Sequence, residues 1–424
     1  MIDLSGKRIL FLEGENMLIP VLEKAKKYGI YSVIVNMYST EMNPAKLVAD
    51  KHYEVNFRDI HAMLEIIEKE KIDGIFTAFT DANIDAFCAI CEAADLPCYT
   101  TEKLCDVMVN KATFKSFCRK AGVPVIEEYD MNDLKIEEIQ FPVIVKPVDN
   151  SGARGISVCA DASSLPAAVE RGLEFSKVKD VVIERYIRAE YALADFIVQN
   201  GKCFLVTTVD KPVNDDDKGN VNLPGAYIYP SKHDALIKDA LTESVQKFVD
   251  LIDYKNGILC LELIVEGDKV YAIEPQFRYG GKFQDVFIEA ETGVDEIQLM
   301  FDFAVNGKFG DDTLPKQIHA DFKRHYVQMN ILVDEGTITK VPEEAFVKEL
   351  ITHNGETGLY IPRKTVGTVI KPDGSMIQMY GKITLSADTR QELLDAMRDF
   401  QKKMWVLDEK GDNMIIKSMP DSYC

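Results

Sequence analysis

The first hundred residues alternate between short apolar runs and longer amphipathic stretches. Val, Ile, Leu, Phe and Tyr are concentrated at 8–12, 31–35 and 75–79, while apolar residues recur at helical spacing over 63–69 and 84–94. Strands that alternate with helices are typical of a parallel sheet with helices on both faces. The turn after the first strand reads Glu13-Gly14-Glu15-Asn16 rather than GxGxxG, so a nicotinamide dinucleotide site is not favoured here.

The C-terminal hundred residues have a different pattern, with strands in the majority. Apolar and β-branched residues predict strands at 326–331, 336–338 and 367–370. A helix is predicted over 389–404, because its apolar residues recur at helical spacing: Leu393, Leu394, Met397 and Phe400. Between the two ends, the acidic stretch 210–223 has few apolar residues and is predicted to be a mobile surface loop.

Two segments in the middle of the chain carry charged residues in places that indicate chemistry. An apolar strand over 141–147 contains Lys146 and leads into the turn Asn150-Ser151-Gly152-Ala153-Arg154-Gly155, before a further strand over 156–158. Glycines in such a turn allow backbone N–H groups to approach phosphate oxygens. Much later, Glu262 and Glu274 lie in two adjacent predicted strands. Carboxylates so placed suit a hard cation such as Mg²⁺.

Composition narrows the range of partners. The 424 residues carry a formal charge of −20, so neither nucleic acid nor an anionic membrane is an expected partner. No apolar run approaches the roughly 18 residues of a membrane span, and the first residues lack the features of a signal peptide. We therefore expect a cytoplasmic protein. Cys88 and Cys91 form a CxxC inside a predicted helix, where a reduced, buried pair is favoured over a redox or zinc site.

Taken together, these motifs resemble those of the ATP-grasp ligases, in the order of that superfamily. Asn110-Lys111 with Gly122-Val123-Pro124 is similar to the family's DK…GVP segment, and Glu274-x-Gln276-x-Arg278 is similar to its ExNxR motif. The chain resembles L-amino-acid ligases, biotin carboxylases and carbamoyl phosphate synthase large subunits in particular. The resemblance implies an α/β ATP-grasp fold with a Rossmann-like domain (1–103), a two-lobed grasp domain (104–318, with a lid at about 111–184) and a strand-rich cap (319–424).

The resemblance also implies an ATP site. Lys111 and Lys146 are expected to meet the phosphates, under a loop that contains Ser151, Gly152, Arg154 and Gly155. In the family, the backbone of the hinge between the lobes pairs with adenine and a following acid holds the ribose. The corresponding residues of this chain are as follows: Glu184, Tyr186 and Ile187 for the hinge, and Glu190 for the ribose.

For the metal, the resemblance assigns Mg²⁺ to Glu262, Glu274 and Gln276, with Mn²⁺ as an alternative. Gln276 stands where the family commonly has asparagine, so the number of bound ions stays open. Arg278 and Lys146 are the catalytic candidates. In the family, the arginine stabilises the charge of the transferring phosphoryl group and of the acyl phosphate.

The expected reaction is the activation of a small carboxylate as an acyl phosphate on Mg-ATP, which an amine then attacks, with release of ADP and phosphate. The expected partners are small molecules, and a homodimer is left open. Two alternatives also stay open: a bicarbonate-activating enzyme similar to carbamoyl phosphate synthase or a carboxylase, and a nucleotide-binding protein without turnover.

Overall fold

The computed structural model describes residues 3–150, 154–214, 223–371, 376–417 and 423. Within those ranges, every helix is too short or too polar to span a bilayer. The expected cytoplasmic location stays a prediction. The strands are, in chain order, β1 (Arg8–Phe11), β2 (Tyr31–Val35), β3 (Lys51–Tyr53), β4 (Gly74–Phe76), β5 (Glu128–Tyr129), β6 (Val143–Pro147), β7 (Ser157–Cys159), β8 (Val181–Arg185), β9 (Glu190–Gln199), β10 (Lys202–Asp210), β11 (Val213–Asn214), β12 (Leu223–Pro224), β13 (Ala226–Tyr229), β14 (Gly257–Glu266), β15 (Lys269–Gln276), β16 (His325–Leu332), β17 (Gly336–Thr337), β18 (Thr352–His353), β19 (Glu356–Thr357), β20 (Tyr360–Pro362), β21 (Val369–Ile370) and β22 (Met379–Ala387).

The helices account for most of the remaining regular structure. They are α1 (Ile19–Lys27), α2 (Ile60–Glu70), α3 (Ile84–Ala94), α4 (Glu102–Val109), α5 (Lys111–Ala121), α6 (Leu165–Phe175), α7 (Asp234–Ile252), α8 (Gln284–Thr292), α9 (Glu296–Asn306), α10 (Leu314–Gln317), α11 (Glu344–Leu350) and α12 (Arg390–Lys403). The chain forms two compact units, and each contains more than one segment. The first unit comprises Met1–Tyr99, Phe204–Lys232 and Arg278–Cys424, and the second comprises Thr100–Cys203 and His233–Phe277.

The first unit contains the predicted parallel sheet, in the strand order β3-β2-β1-β4. β1 pairs in parallel with both β2 and β4, and β2 pairs in parallel with β3. The apolar runs of β1, β2 and β4 are almost entirely buried, as expected of strands covered on both faces. The α/β class predicted from the alternating pattern is therefore confirmed.

The first unit also contains an antiparallel sheet, built largely from the C-terminal segment. β13, β16, β22 and β20 are neighbours in that order. α12 packs on this sheet. Thr389 is the N-cap of α12 and forms a capping box with Glu392, which satisfies two backbone donors at the start of the helix. The predicted helix is confirmed, whereas the strand predicted over 367–370 starts only at Val369. The segment predicted to be a loop, 210–223, contains the short strand β11 and ends at the first residue of its antiparallel partner, β12. Its centre, 215–222, lies outside the described residues.

The second unit contains two antiparallel sheets. The smaller has the order β5-β8-β6-β7, with α6 packed against β6 and β7. In the other, β14 pairs with both β9 and β15. α5 packs on α7 and on β15. The division of the chain into three domains at 103 and 318 stays a prediction.

Candidate active site

Lys146, the lysine in the apolar strand β6, lies beside the carboxylate of Glu184 in the second unit. β6 and β8 are antiparallel neighbours, with Ile144 opposite Glu184. The Lys146 Nζ donates to Glu184 Oε2 at 2.9 Å, and Lys115 Nζ lies 2.7 Å from the other oxygen, Oε1. Glu184 and Lys115 are each only 1 % exposed. One buried carboxylate therefore holds two lysines from different elements.

The charges of this buried triad stabilise one another. Burial alone would raise the pKa of Glu184, but Lys146 and Lys115 lower it to about 2. Burial would likewise lower the pKa of Lys146, yet Glu184 keeps it above its ordinary value. Burial lowers the pKa of Lys115 to about 8, against the opposing effect of Glu184. Lys146 is thus a fixed cation, and neither Lys115 nor the pairing with Glu184 was identified from the sequence.

Lys111 is the first residue of α5, and the residue before it explains a departure from the family pattern. The Asn110 side chain accepts hydrogen bonds from the backbone N–H groups of Ala112 and Thr113, as a helix N-cap does. The Lys111 Nζ donates to the Asn150 carbonyl oxygen at 2.7 Å, at the start of the glycine-rich turn. Burial lowers the pKa of Lys111, and Glu274 opposes that shift. The structure therefore brings Lys111 to the predicted phosphate loop.

Only part of that loop is described, since Ser151 and Gly152 lie outside the described residues. Gly155 has a φ of +79°, and a Cβ on it would lie 2.5 Å from the Phe175 Cβ, so the position requires glycine. The Asn150 Nδ2 donates to the Phe175 carbonyl at 3.1 Å, and an Arg154 guanidinium nitrogen donates to Asn150 Oδ1, also at 3.1 Å. Side-chain contacts thus hold the C-terminal end of the turn.

The hinge residues follow β8. The Tyr186 backbone N–H donates to the Pro142 carbonyl at 3.0 Å, so the protein itself uses that donor. Within the described ranges, Ile187 N–H makes no hydrogen bond. Of the Tyr186 and Ile187 amides, that of Ile187 is therefore the better donor for an adenine edge. The Glu190 carboxylate, the ribose candidate, lies 2.5 Å from His233 Nε2, a partner that no local sequence pattern indicates.

The predicted metal ligands lie on one face of the antiparallel pair β14 and β15. Glu262 is directly opposite Glu274, and Gln276 follows two residues later on the same face. The Gln276 Nε2 donates to Glu262 Oε1 at 3.1 Å. Among the described residues, no cluster of three or more His, Cys, Asp or Glu side chains could hold a metal ion. Two carboxylates and one amide nonetheless fit Mg²⁺, which usually completes its shell with water and phosphate oxygens.

The phosphate lysines and the metal carboxylates lie within electrostatic reach of one another in the second unit. Glu274 acts on Lys111 and also contributes to the raised pKa of Lys146, after burial and Glu184. The structure therefore brings together the cations and the carboxylates that the sequence placed in distant segments.

Arg278, the catalytic candidate, begins the last segment of the first unit and is buried. Its Nε lies 2.5 Å from Asp81 Oδ1 and its NH2 group lies 3.0 Å from Asp81 Oδ2, a bidentate pair. Asp81 belongs to the short 3₁₀ turn Asp81–Asn83, after β4. The sequence analysis missed Asp81, because a long-range ion pair leaves no local pattern.

The chain is similar to known proteins in both its sequence and its fold. Residues 139–284 match the family described as the ATP-grasp domain, a range that contains every predicted nucleotide and metal residue except Lys111. The formate-dependent phosphoribosylglycinamide formyltransferase of Wolinella succinogenes is 27% identical over 285 residues, which are 63% of this chain and 68% of that protein.

Solved structures share the fold along nearly the whole chain. An L-amino acid ligase from Bacillus licheniformis superimposes with a TM-score of 0.77 and 19% identity, covering 96% of this chain and 99% of that one. A second similar structure is the biotin carboxylase domain dimer of Hydrogenobacter thermophilus 2-oxoglutarate carboxylase, in complex with MgADP and bicarbonate. It superimposes with a TM-score of 0.75 and 18% identity, covering 94% of this chain and 90% of that one. The fold expected from the sequence motifs is therefore confirmed.

Proposed function

We propose that the chain is an ATP-grasp ligase that activates a small carboxylate as an acyl phosphate and transfers it to an amine, with release of ADP and phosphate. Its match to the ATP-grasp domain family over 139–284 and its similarity to a formate-dependent phosphoribosylglycinamide formyltransferase support this proposal. A carboxylate is a poor electrophile, whereas phosphate is a good leaving group. The comparisons do not favour the two alternatives left open by the sequence. The observation that carries the proposal is the buried Lys146–Glu184–Lys115 triad within electrostatic reach of Glu274.

The lysines of the second unit are proposed to bind the ATP phosphates. Among the described residues, Lys146 forms an ion pair with Glu184 alone, and its side chain is 14 % exposed, so it can also donate to a phosphate oxygen. Lys111 already holds the Asn150 carbonyl, which ties the phosphate loop to α5. Both cations are fixed before the ligand arrives, and such preorganisation is a major source of catalysis in phosphoryl transfer.

Glu262, Glu274 and Gln276 are proposed to hold the magnesium ion that accompanies ATP. The ion would neutralise phosphate charge. Gln276 would have to turn its amide oxygen, rather than the nitrogen that now donates to Glu262, toward the ion. We propose that Mn²⁺ can replace Mg²⁺ here, because it accepts the same oxygen ligands.

The remaining predicted residues have supporting roles in this proposal. The free Ile187 N–H supports adenine recognition, and Glu190, oriented by His233, supports binding of the ribose. Arg278 would stabilise the charge of the transferring phosphoryl group, with Asp81 fixing the plane of its guanidinium.

The test is a screen for phosphate release with Mg-ATP over pairs of small carboxylates and amines, with bicarbonate in a separate well. We expect release that needs ATP, a metal ion and both organic substrates. Mn²⁺ is compared with Mg²⁺ on the best pair. Release with bicarbonate alone, or none with any pair, would contradict the proposal. The dimeric state stays a prediction, which light scattering after gel filtration would test.

A further inference from the structure

The parallel sheet of the first unit has the kind of strand order that, in open α/β sheets, places a ligand crevice at the carboxyl ends of the strands. In the strand order β3-β2-β1-β4, the chain passes from β1 to β2 and β3 on one side of β1, and β4 lies on the other side. A topological switch point therefore lies between β1 and β4. Ligands of open α/β sheets bind outside the carboxyl ends of the strands at such a point. The loop after β1 carries Glu13, and the turn after β4 carries Asn83.

Glu13 is a buried carboxyl group beside the turn that follows β4. It is 7 % exposed, and Asn83 Nδ2 donates to its Oε1 at 2.8 Å. In the described part of the chain, no lysine, arginine or histidine forms an ion pair with it. Arg278 is near enough to act on it but is engaged by Asp81. Burial raises the pKa of Glu13 to about 8, and Asn83 opposes the shift.

Lys382 is the complementary case, a buried ammonium group. It lies on β22 and is 5 % exposed, and its Nζ donates to the Gly281 carbonyl at 2.5 Å and to Gln328 Oε1 at 3.4 Å. Both acceptors are neutral, and no acid forms an ion pair with it among the described residues. Burial lowers its pKa to about 7. An anionic ligand would supply the missing charge.

Glycine geometry links these two groups to one place. A Cβ on Gly281 would lie 3.3 Å from Lys382 Nζ and also 3.3 Å from Met17 Sδ. Met17 belongs to the 3₁₀ turn Asn16–Leu18, which follows Glu13 by three residues. Lys382 therefore reaches the same loop from the other sheet of the unit.

An apolar wall stands beside the charged groups. Met17, Phe283 and Ile361 form a buried cluster, with Phe79 and Leu359 packed against it, and the Phe283 ring centroid is 5.8 Å from Lys382 Nζ. Phe79 and Phe283 have φ values of +61° and +52°. Bulky residues seldom adopt such values, and strained backbone of this kind is concentrated at functional sites.

We propose that this crevice binds the amine-donating substrate as an α-amino acid, with its ammonium group on Glu13, its carboxylate on Lys382 and its side chain on the apolar wall. The proposal rests on the ligase function proposed above and names the amine substrate. A buried carboxyl group and a buried ammonium group, linked through Gly281 and Met17 and each without an ion-pair partner among the described residues, are matched by a zwitterion that carries both opposite charges.

Glu13 then has a chemical role in amide formation. Its carboxylate takes one proton from the bound ammonium, which leaves a neutral amine with a lone pair. That lone pair attacks the carbonyl carbon of the acyl phosphate, so a C–N bond forms and the C–O bond to the phosphoryl group breaks. The phosphate leaves with the electron pair of the C–O bond and takes the second amine proton.

The test is isothermal titration calorimetry of the ligand-free enzyme with each of the twenty α-amino acids. The tightest binder is then compared with its amide, which lacks the carboxylate, and with its N-acetyl derivative, which lacks the ammonium. We expect both derivatives to bind at least tenfold more weakly. We also expect Glu13→Gln to weaken the amino acid and its amide tenfold or more, and Lys382→Met to weaken the amino acid and its N-acetyl derivative similarly.

Controls separate binding from folding and from turnover. Glu23→Gln, an exposed substitution on α1, should leave binding unchanged. Thermal melts check the fold, and Glu13→Gln should melt no lower than wild type because glutamine mimics the neutral carboxyl and cannot ionise. Equal binding of the three probes, or wild-type affinity in both variants, would overturn the inference even if phosphate release occurs. Discriminated binding without any phosphate release would contradict the ligase function and leave the crevice site standing.

Discussion

Replacing Glu184 with glutamine removes the carboxylate that pairs with both Lys146 and Lys115 while it keeps the size of the side chain, and it leaves Lys115 with Glu128 Oε1 at 3.2 Å. Glu184 accepts from Lys146 at 2.9 Å and lies 2.7 Å from Lys115. Glutamine can accept one of these hydrogen bonds but neutralises neither lysine. Removing one partner of a buried ion pair leaves the other charge uncompensated, which costs about 3–5 kcal/mol.

The pKa of Glu184 gives a second measure of this cost. Its folded value of about 2 lies below the ordinary 4.5. With each pKa unit equivalent to ~1.4 kcal/mol, the carboxylate contributes about 3 kcal/mol at pH 7. The sign follows from the lowered pKa, because the contribution is present above pH 4.5 and is lost as the pH falls through about 2. Both routes give a loss of about 3 kcal/mol in the variant at neutral pH.

Hydrogen exchange measured by mass spectrometry on peptides from β6 and β8 localises this loss. A loss of about 3 kcal/mol should speed exchange there by about 100-fold at pH 7. The exposed substitution Glu137→Gln, in the same unit, is the matched control and should leave these rates unchanged. Saturating Mg-ATP should narrow the difference, because phosphate gives Lys146 a new anion. Exchange within threefold of wild type would refute the reasoning.

Three further predictions concern single residues. Lys146→Ala should weaken ATP binding by about 1.5–3 kcal/mol, the worth of a charge-assisted hydrogen bond, and calorimetry that finds unchanged affinity would exclude the phosphate role. Gln276→Asn should retain phosphate release within about tenfold, whereas Gln276→Leu, which offers no oxygen ligand, should abolish it and still bind ATP; wild-type turnover by the leucine variant would remove Gln276 from the metal site. The folded pKa of Glu13 is raised to about 8, so its carboxyl group ionises less readily in the folded protein than in the unfolded chain. The free energy of unfolding of wild type, measured by urea titration, should therefore fall relative to that of Glu13→Gln as the pH rises from 5 to 8, by up to about 5 kcal/mol. Parallel curves would mean that the carboxyl is not buried in neutral form.

Local patterns predicted the regular elements well. The apolar run at 31–35 is β2, and the helical spacing over 84–94 is α3, with the same bounds. Each of these elements buries a continuous face, so the periodicity of its apolar residues can be recognised from residues that are neighbours in the sequence. The family motifs likewise located Lys146, Glu262 and Glu274, because each lies in a strand whose apolar neighbours fix its register.

The partners of the charged residues could not be predicted in the same way. Lys115 and Glu184 are 69 positions apart, and Lys382 and Gly281 are 101 apart. Their contacts depend on tertiary packing, which has no local period. Asn110 stood out as a departure from the family, and only the structure shows that its side chain caps α5. Burial without a counter-charge, as at Glu13, also becomes visible only after folding.

The acyl phosphate is the centre of the proposed mechanism, and isotope transfer tests it directly. The carboxylate substrate of the best pair from the screen is labelled with oxygen-18 in both carboxylate oxygens, and the released phosphate is analysed by mass spectrometry. Attack of the carboxylate on the terminal phosphoryl group of ATP predicts exactly one labelled oxygen in each phosphate released with the amide product. Unlabelled phosphate, released together with that product, would contradict the account.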